Sequence, residues 1–244
     1  MKKLIVTADD VGLHRGMTDG AVRAHREGIV TACSIVANGI AFDDAVLKLR
    51  EVPSLEVGVH LTLVEERSLT TGQPMPKNYT HFIFSRPGDV EPELRAQIEK
   101  VLGTGLRVTH LNGHQHLHLL PRVFAVVEKL ANEYRIGYVR RVNDRGGRSR
   151  RAAMAALSFL GRRARGSNDY TIGVADAGHL QMVERLLDFV DGVTELVTHP
   201  GIAVDAYPHW RYDWDEETKA LCEPGLKAAI AERGIELIAP SDIV

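Results

Sequence analysis

The stretch KLIVTADDVGLHRGMTDGAVRAHREGIVTACSIVANG, residues 3–39, sets two short β-rich runs, KLIVTA (3–8) and CSIVANG (33–39), around the helix-like GMTDGAVRAHREG (16–28). Strand, helix, strand is the repeating unit of a parallel sheet, since parallel strands need a crossover connection. Outward from this unit the rhythm continues through DDAVLKLREV, EVGVHLTL, RVTHLNG, PRVFAVVEKLANEY and GYVRRV. It then runs through a long basic helix candidate, YTIGV, MVERLLDFV, TELVTHP, DEETKALCEPGLKAAIAERG and IELIAP. About seven or eight such units predict a single α/β domain over 1–244, a TIM-like (β/α) barrel that is irregular or incompletely closed, for which ~250 residues is typical. A doubly wound open sheet is the alternative architecture.

Composition narrows the function. With 244 residues and 44% hydrophobic content the chain can bury a large core. A formal net charge of -2 gives no general electrostatic reason to bind nucleic acid. Cys33 and Cys222 form neither a metal nor a redox spacing, so a reducing cytoplasm is expected. The apolar run before Asp9 is too short for a signal-peptide core, and AAMAALSFL (152–160) is far below the ~20 residues that span a bilayer.

Polar residues fall at the ends of the predicted strands: Asp9 and Asp10 after LIVTA, His60 after EVGV, His114 after VTHLNG, Arg140 after GYV and His199 after TELVT. In parallel α/β architectures those carboxyl ends share one face, where active sites are built. One such residue is readily a turn or cap residue. An acid pair, a lone histidine and a histidine cluster converging from separate strands point instead to a divalent metal, Zn²⁺ or Mg²⁺, with open positions for water and substrate. The cluster THLNGHQHLHLLP (109–121) holds four of the chain's 11 histidines, His110, His114, His116 and His118. In an extended segment their side chains spread along the strand, so one is expected to be a ligand, the others orienting it or meeting substrate; His116 and His118 are the candidates for substrate.

TADDVG, VGVHLTL, THLNGHQHLH and ELVTHPG, in this order over nearly the whole chain, resemble the YdjC-like (ChbG-type) carbohydrate deacetylases. HLNGHQHLHLLP and YVRRVND are most similar to the HpnK branch, associated with hopanoid biosynthesis. The resemblance implies a barrel-like fold, a metal held by Asp10, His60 and His114, and removal of an acetyl group from an N-acetylated sugar. The chain departs from the family at Asn112 and Gly113, where most members carry an Asp-Ser pair. On this reading Asp9 is the candidate base for the attacking water and Arg140 holds Asp9 ionised. His199 is then the candidate acid for the leaving amine.

Three further segments bear on substrate. Residues 65–90, rich in Gly, Pro and polar residues, read as a lid loop. Trp210, in HWRYDWDEE, is a candidate to stack on a sugar. Residues 145–165 carry seven arginines and no acid; as a helix over 148–165, Ala153, Ala156, Leu157, Leu160 and Ala164 share one arc, and Arg151, Ser158, Arg162 and Arg165 another. Such a basic amphipathic helix either covers the barrel or leans on anionic lipid at the inner face of the membrane. The leading expectation is a deacetylase acting on an N-acetylglucosamine unit, on a glycosylated hopanoid lipid or a soluble chito-oligosaccharide, with a homodimer compatible with either. Another single-metal hydrolase, such as a phosphoesterase, and a non-catalytic peripheral membrane module are the alternatives.

Overall fold

A computed structural model describes residues 1–85, 88–143, 166–174 and 176–243. The basic helix expected over 148–165 lies outside the described residues. Among the described residues eight strands form one all-parallel sheet in the order β5-β4-β3-β2-β1-β7-β6, with β8 pairing the start of β1. They are β1 (Lys2–Val11), β2 (Ala32–Ile35), β3 (Glu56–Leu61), β4 (Val108–Gly113), β5 (Tyr138–Val139), β6 (Tyr170–Ile172), β7 (Val193–Thr198) and β8 (Ile235–Leu237). The sheet curls into an incomplete barrel. Among the described residues β5 and β6 share no ladder; an isolated bridge joins Tyr138 of β5 to Gly166, ahead of β6. The strand–helix–strand rhythm therefore yields the barrel and not the doubly wound sheet.

β1 shows how the sequence divides inside from outside. Strand side chains alternate between faces. Leu4, Val6 and Ala8 lie in the main apolar cluster together with residues of the helices α1 (Arg15–Arg26), α2 (Phe42–Arg50), α4 (Glu91–Leu102) and α5 (Pro121–Glu133). Ile5 packs instead with Tyr138 and Ile238, and on the same inner face Thr7 and Asp9 reach polar partners across the barrel. The lower barrel is thus plugged by apolar side chains, and its middle is a buried polar layer. Tyr138 and Thr7 both donate to Glu195 at 2.7 Å, and Arg140 lies between Glu195 and Asp9. Gly20 lets α1 close on the turn after β7, for a Cβ there would lie 2.5 Å from the backbone of Gly201.

The 65–90 segment, expected as a lid loop, has structure of its own among its described residues. It folds back on itself through the antiparallel bridge Arg67–Pro74 and carries a short helix, α3 (Tyr79–Phe84). Among the described residues no helix is long and apolar enough to cross a membrane.

Candidate metal centre and active site

Alternation along β1 should send Asp9 and Asp10 to opposite faces, yet both reach the same site. Asp10 has a left-handed backbone, φ 64°, and the β1–β2 register shifts between Ala8 and Val11. The bulge swings the Asp10 carboxylate over the barrel mouth while Asp9 stays inside. Aspartate tolerates this conformation better than most residues.

Asp10 Oδ1 lies 3.2 Å from His60 Nε2 and 2.9 Å from His114 Nδ1. One ligand atom from each of these three buried residues falls within 4.8 Å of the other two. Ligands about 2.0–2.1 Å from a tetrahedral ion sit roughly 3.3 Å apart, so the donors are spaced as a divalent cation requires. The tautomer of His60 fits as well: Asn112 Oδ1, 2.7 Å away, accepts from Nδ1, leaving the Nε2 lone pair toward Asp10. Burial disfavours a charged His114 ring, but the Asp10 and Glu65 carboxylates on its two nitrogens prevail and raise its pKa to about 10. A cation would compete there with the Nδ1 proton. Burial likewise opposes the charge on Asp10, yet His114 and His60 hold its pKa well below the usual carboxylate range.

Beneath the triad lies Asp9. Its Oδ1 accepts from Ser34 Oγ at 2.8 Å, Asn112 Nδ2 at 2.9 Å and Arg140 Nη2 at 2.9 Å, and its Oδ2 accepts from Arg140 Nη1. Burial raises its pKa, but Arg140 outweighs burial and keeps the carboxylate ionised. Asn112 thus accepts from one predicted ligand and donates to the predicted base. An aspartate there would place a second carboxylate against Asp9.

His199, directly after β7, lines the cavity with Nε2 3.9 Å from Asp10 Oδ2. Its backbone N–H donates to Glu217, a buried acid whose pKa is pushed by burial to about 8. Burial also lowers the pKa of His199 despite the nearby aspartates, and its Nδ1 has no hydrogen-bond partner among the described residues. The ring rests neutral.

The four clustered histidines part company because β4 ends at Gly113. Residues 114–119 turn through a 3₁₀ segment in which Gln115 and His116 are both left-handed. The extended geometry expected for the run therefore ends before it, and backbone turning separates the rings. His114 faces Asp10 and His116 lines the cavity. His118 does not meet the cavity: it is 1% exposed, with Nε2 3.1 Å from the Arg140 carbonyl, so the expected substrate contact is corrected to one that supports the end of β5. His110 is buried over Gly58, where a Cβ would lie 2.3 Å from its ring.

The cavity measures about 540 Å³, within the ~300–1,000 Å³ of small-molecule sites. Asp10, His60 and His114 belong to its lining, with Tyr79, Trp210 and Tyr212 as aromatic walls. Trp210 stacks on Tyr207, centroids 4.5 Å apart, and lies 5.3 Å from the His114 ring. Reading the sequence missed Glu65, Ser34, Glu195 and Glu217. Of these Glu195 left a trace, a lone charge inside the apolar strand TELVT.

Relatives match this chain from end to end. A carbohydrate deacetylase of Brevibacillus brevis is 33% identical over 99% of both chains. A chitooligosaccharide deacetylase of Citrobacter koseri is 30% identical over 96% of each. Among solved structures, an Enterococcus faecalis V583 protein provisionally assigned to cellobiose-phosphate cleavage superposes with a TM-score of 0.82, covering 100% of this chain and 99% of that one at 24% identity, a likeness of fold. The model of the YdjC-like proteins matches residues 3–232. On that match, and on relatives alike from end to end, this chain belongs to the YdjC-like protein family.

Proposed function

We propose that this protein is a metal-dependent carbohydrate N-deacetylase: water adds to the acetamide carbonyl carbon, the C–N bond breaks, and acetate and a free amino sugar leave. The observation that carries the reading is the Asp10, His60, His114 triad in the lining of an aromatic-walled cavity with ionised Asp9 beside it. A divalent cation held by the triad would polarise the carbonyl and ease deprotonation of water. Asp9 accepts the water's proton at Oδ2, the oxygen engaged by a single donor, while Arg140 keeps the carboxylate aimed. His199, neutral at rest, must first take up a proton, which it then delivers to the leaving nitrogen. Trp210 and Tyr212 offer faces on which a pyranose ring stacks.

A second reading of the proton path rests on His199. Its ring is neutral at rest and its Nδ1 has no hydrogen-bond partner among the described residues, whereas Asp9 already accepts from Arg140, Ser34 and Asn112. On that path His199 takes the water's proton and passes it to the amine, and Asp9 acts through its charge.

The metal-loaded protein should release acetate from N-acetylated chito-oligosaccharides. Alanine at Asp10, His60 or His114 should remove both bound metal and turnover. Phosphate release from phosphoesters without acetate release would favour the alternative hydrolase; the described residues hold one three-ligand group, where two-metal chemistry needs a second set. We also propose that the acceptor sugar sits on a glycosylated hopanoid, supported by the likeness of HLNGHQHLHLLP and YVRRVND to that branch and by the arginine run 145–165 at anionic lipid. Reversing charge at Arg151, Arg162 and Arg165 should then lower turnover of a lipid-bound substrate and spare a soluble one; equal turnover of both refutes lipid docking.

A further inference from the structure

Glu65 stands just past β3, at the start of the segment expected to be a lid, with a left-handed backbone at φ 68°. Its amide donates to the Pro76 carbonyl at 2.8 Å, so the fold-back of the segment fixes this unusual conformation. The conformation turns the carboxylate into the mouth and not out to solvent: the side chain is 11% exposed. Three groups meet it there. Oε2 lies 2.9 Å from His114 Nε2, while Oε1 accepts from Trp210 Nε1 at 3.2 Å and lies 3.2 Å from His209 Nε2.

His114 is therefore gripped at both nitrogens, by Asp10 at Nδ1 and by Glu65 at Nε2. A metal-binding imidazole ordinarily donates its other N–H to a carboxylate or carbonyl, which fixes ring orientation and raises ligand basicity. His60 has that support in Asn112; for His114 the supporting atom belongs to Glu65, on a different element from either ligand. The same carboxylate holds the indole N–H of Trp210. The Glu66 carboxylate instead accepts from the Tyr207 hydroxyl at 2.7 Å, so the two neighbouring acids have different hydrogen-bond partners among the described residues.

We propose that Glu65 is a positioning residue that fixes His114 for metal binding through Nε2 and, by holding Trp210 with its other oxygen, makes the metal centre and the aromatic wall of the cavity one hydrogen-bonded unit. The proposal rests on the metal-dependent reading of the site and adds an element to it, the 65–76 fold-back.

The test is Zn²⁺ titration of the full chain against a competing chelator, in wild type, Glu65→Ala, Glu65→Gln and Glu66→Gln. Loss of an outer partner of this kind weakens metal affinity ~10–100-fold, so Glu65→Ala should fall in that range. Glu65→Gln, which keeps an acceptor oxygen but not its charge, should lie between it and wild type. Glu66→Gln should bind within about twofold of wild type. In a Trp214→Phe background, where Trp210 is the remaining tryptophan, Zn²⁺ should change the emission with Glu65 present and not with Glu65→Ala. Wild-type affinity in both Glu65 variants, or an equal loss in Glu66→Gln, overturns the proposal while leaving the metal site intact. Absence of Zn²⁺ binding by the wild type overturns the metal reading and this inference together.

Discussion

Replacing Arg140 with methionine tests whether the buried polar layer is an ionic structure or a set of hydrogen bonds. Arg140 is fully buried, and its guanidinium joins Asp9, through Nη1 and Nη2, to Glu195, whose Oε1 lies 2.9 Å from Nε and 2.8 Å from Nη2. Methionine approximates the length of the side chain while deleting the charge. Two carboxylates are then left in the barrel without a cation. Removing one partner of a buried pair costs about 3–5 kcal/mol. In a chain of this size each kcal/mol lowers Tm by about 2–4 °C, which gives a fall of about 6–20 °C at neutral pH, read by circular dichroism. The sign of the pH dependence is a second check. In the wild type the pKa of Asp9 is lowered by Arg140 against burial, so its contribution is present above the ordinary carboxylate pKa and is lost only in strong acid. Without Arg140, burial dominates and the Asp9 pKa rises. The variant's deficit should then shrink toward pH 5 and grow toward pH 8. Adding Asp9→Asn should recover part of the loss, because one uncompensated charge disappears. A fall in Tm below about 3 °C, or a deficit equal at pH 5 and pH 8, would refute the ionic account.

Asp9→Asn should keep full metal content and lose hydrolysis by ~10²–10⁴-fold, the usual contribution of a general base; if His199→Gln loses far more than Asp9→Asn, the proton path runs through the histidine. Glu217 retains its proton up to about pH 8 because it is buried. A raised folded-state pKa gives stability that is complete below the ordinary carboxylate pKa and lost as pH rises through 8, so wild-type Tm should decline between pH 5 and 9 and Glu217→Gln should flatten that slope. Asn112→Leu removes the acceptor from His60 Nδ1, and chelator competition should show metal affinity ~10–100-fold weaker; unchanged affinity would mean that Ser34, 3.1 Å from the same nitrogen, suffices to orient the ring.

The barrel was legible because hydrophobic period and crossover length are local properties, and the site's location followed because strand ends converge by topology. Asp10 marks a limit of that logic. Alternation alone separates it from Asp9, and only the bulge at its left-handed backbone reunites them. The turn that parts His114, His116 and His118 was hidden for the same reason: two left-handed non-glycine residues, Gln115 and His116, carry no compositional mark. Glu65 and Glu217 escaped notice because each acts from outside the strand ends, and a glutamate in a loop or helix looks solvated until tertiary packing buries it.

The residues that can hold a metal come from β1, β3 and the end of β4, all on one side of the sheet order, whereas His199, Trp210 and Tyr212 follow β7 on the other. Among the described residues β5 and β6 end the strand order, and the arginine run lies between them in sequence. Ancestry can therefore act on the two sides separately. Exchanges at Trp210 or Tyr212, after β7, reshape what the cavity admits without replacing a residue of the Asp10, His60, His114 group.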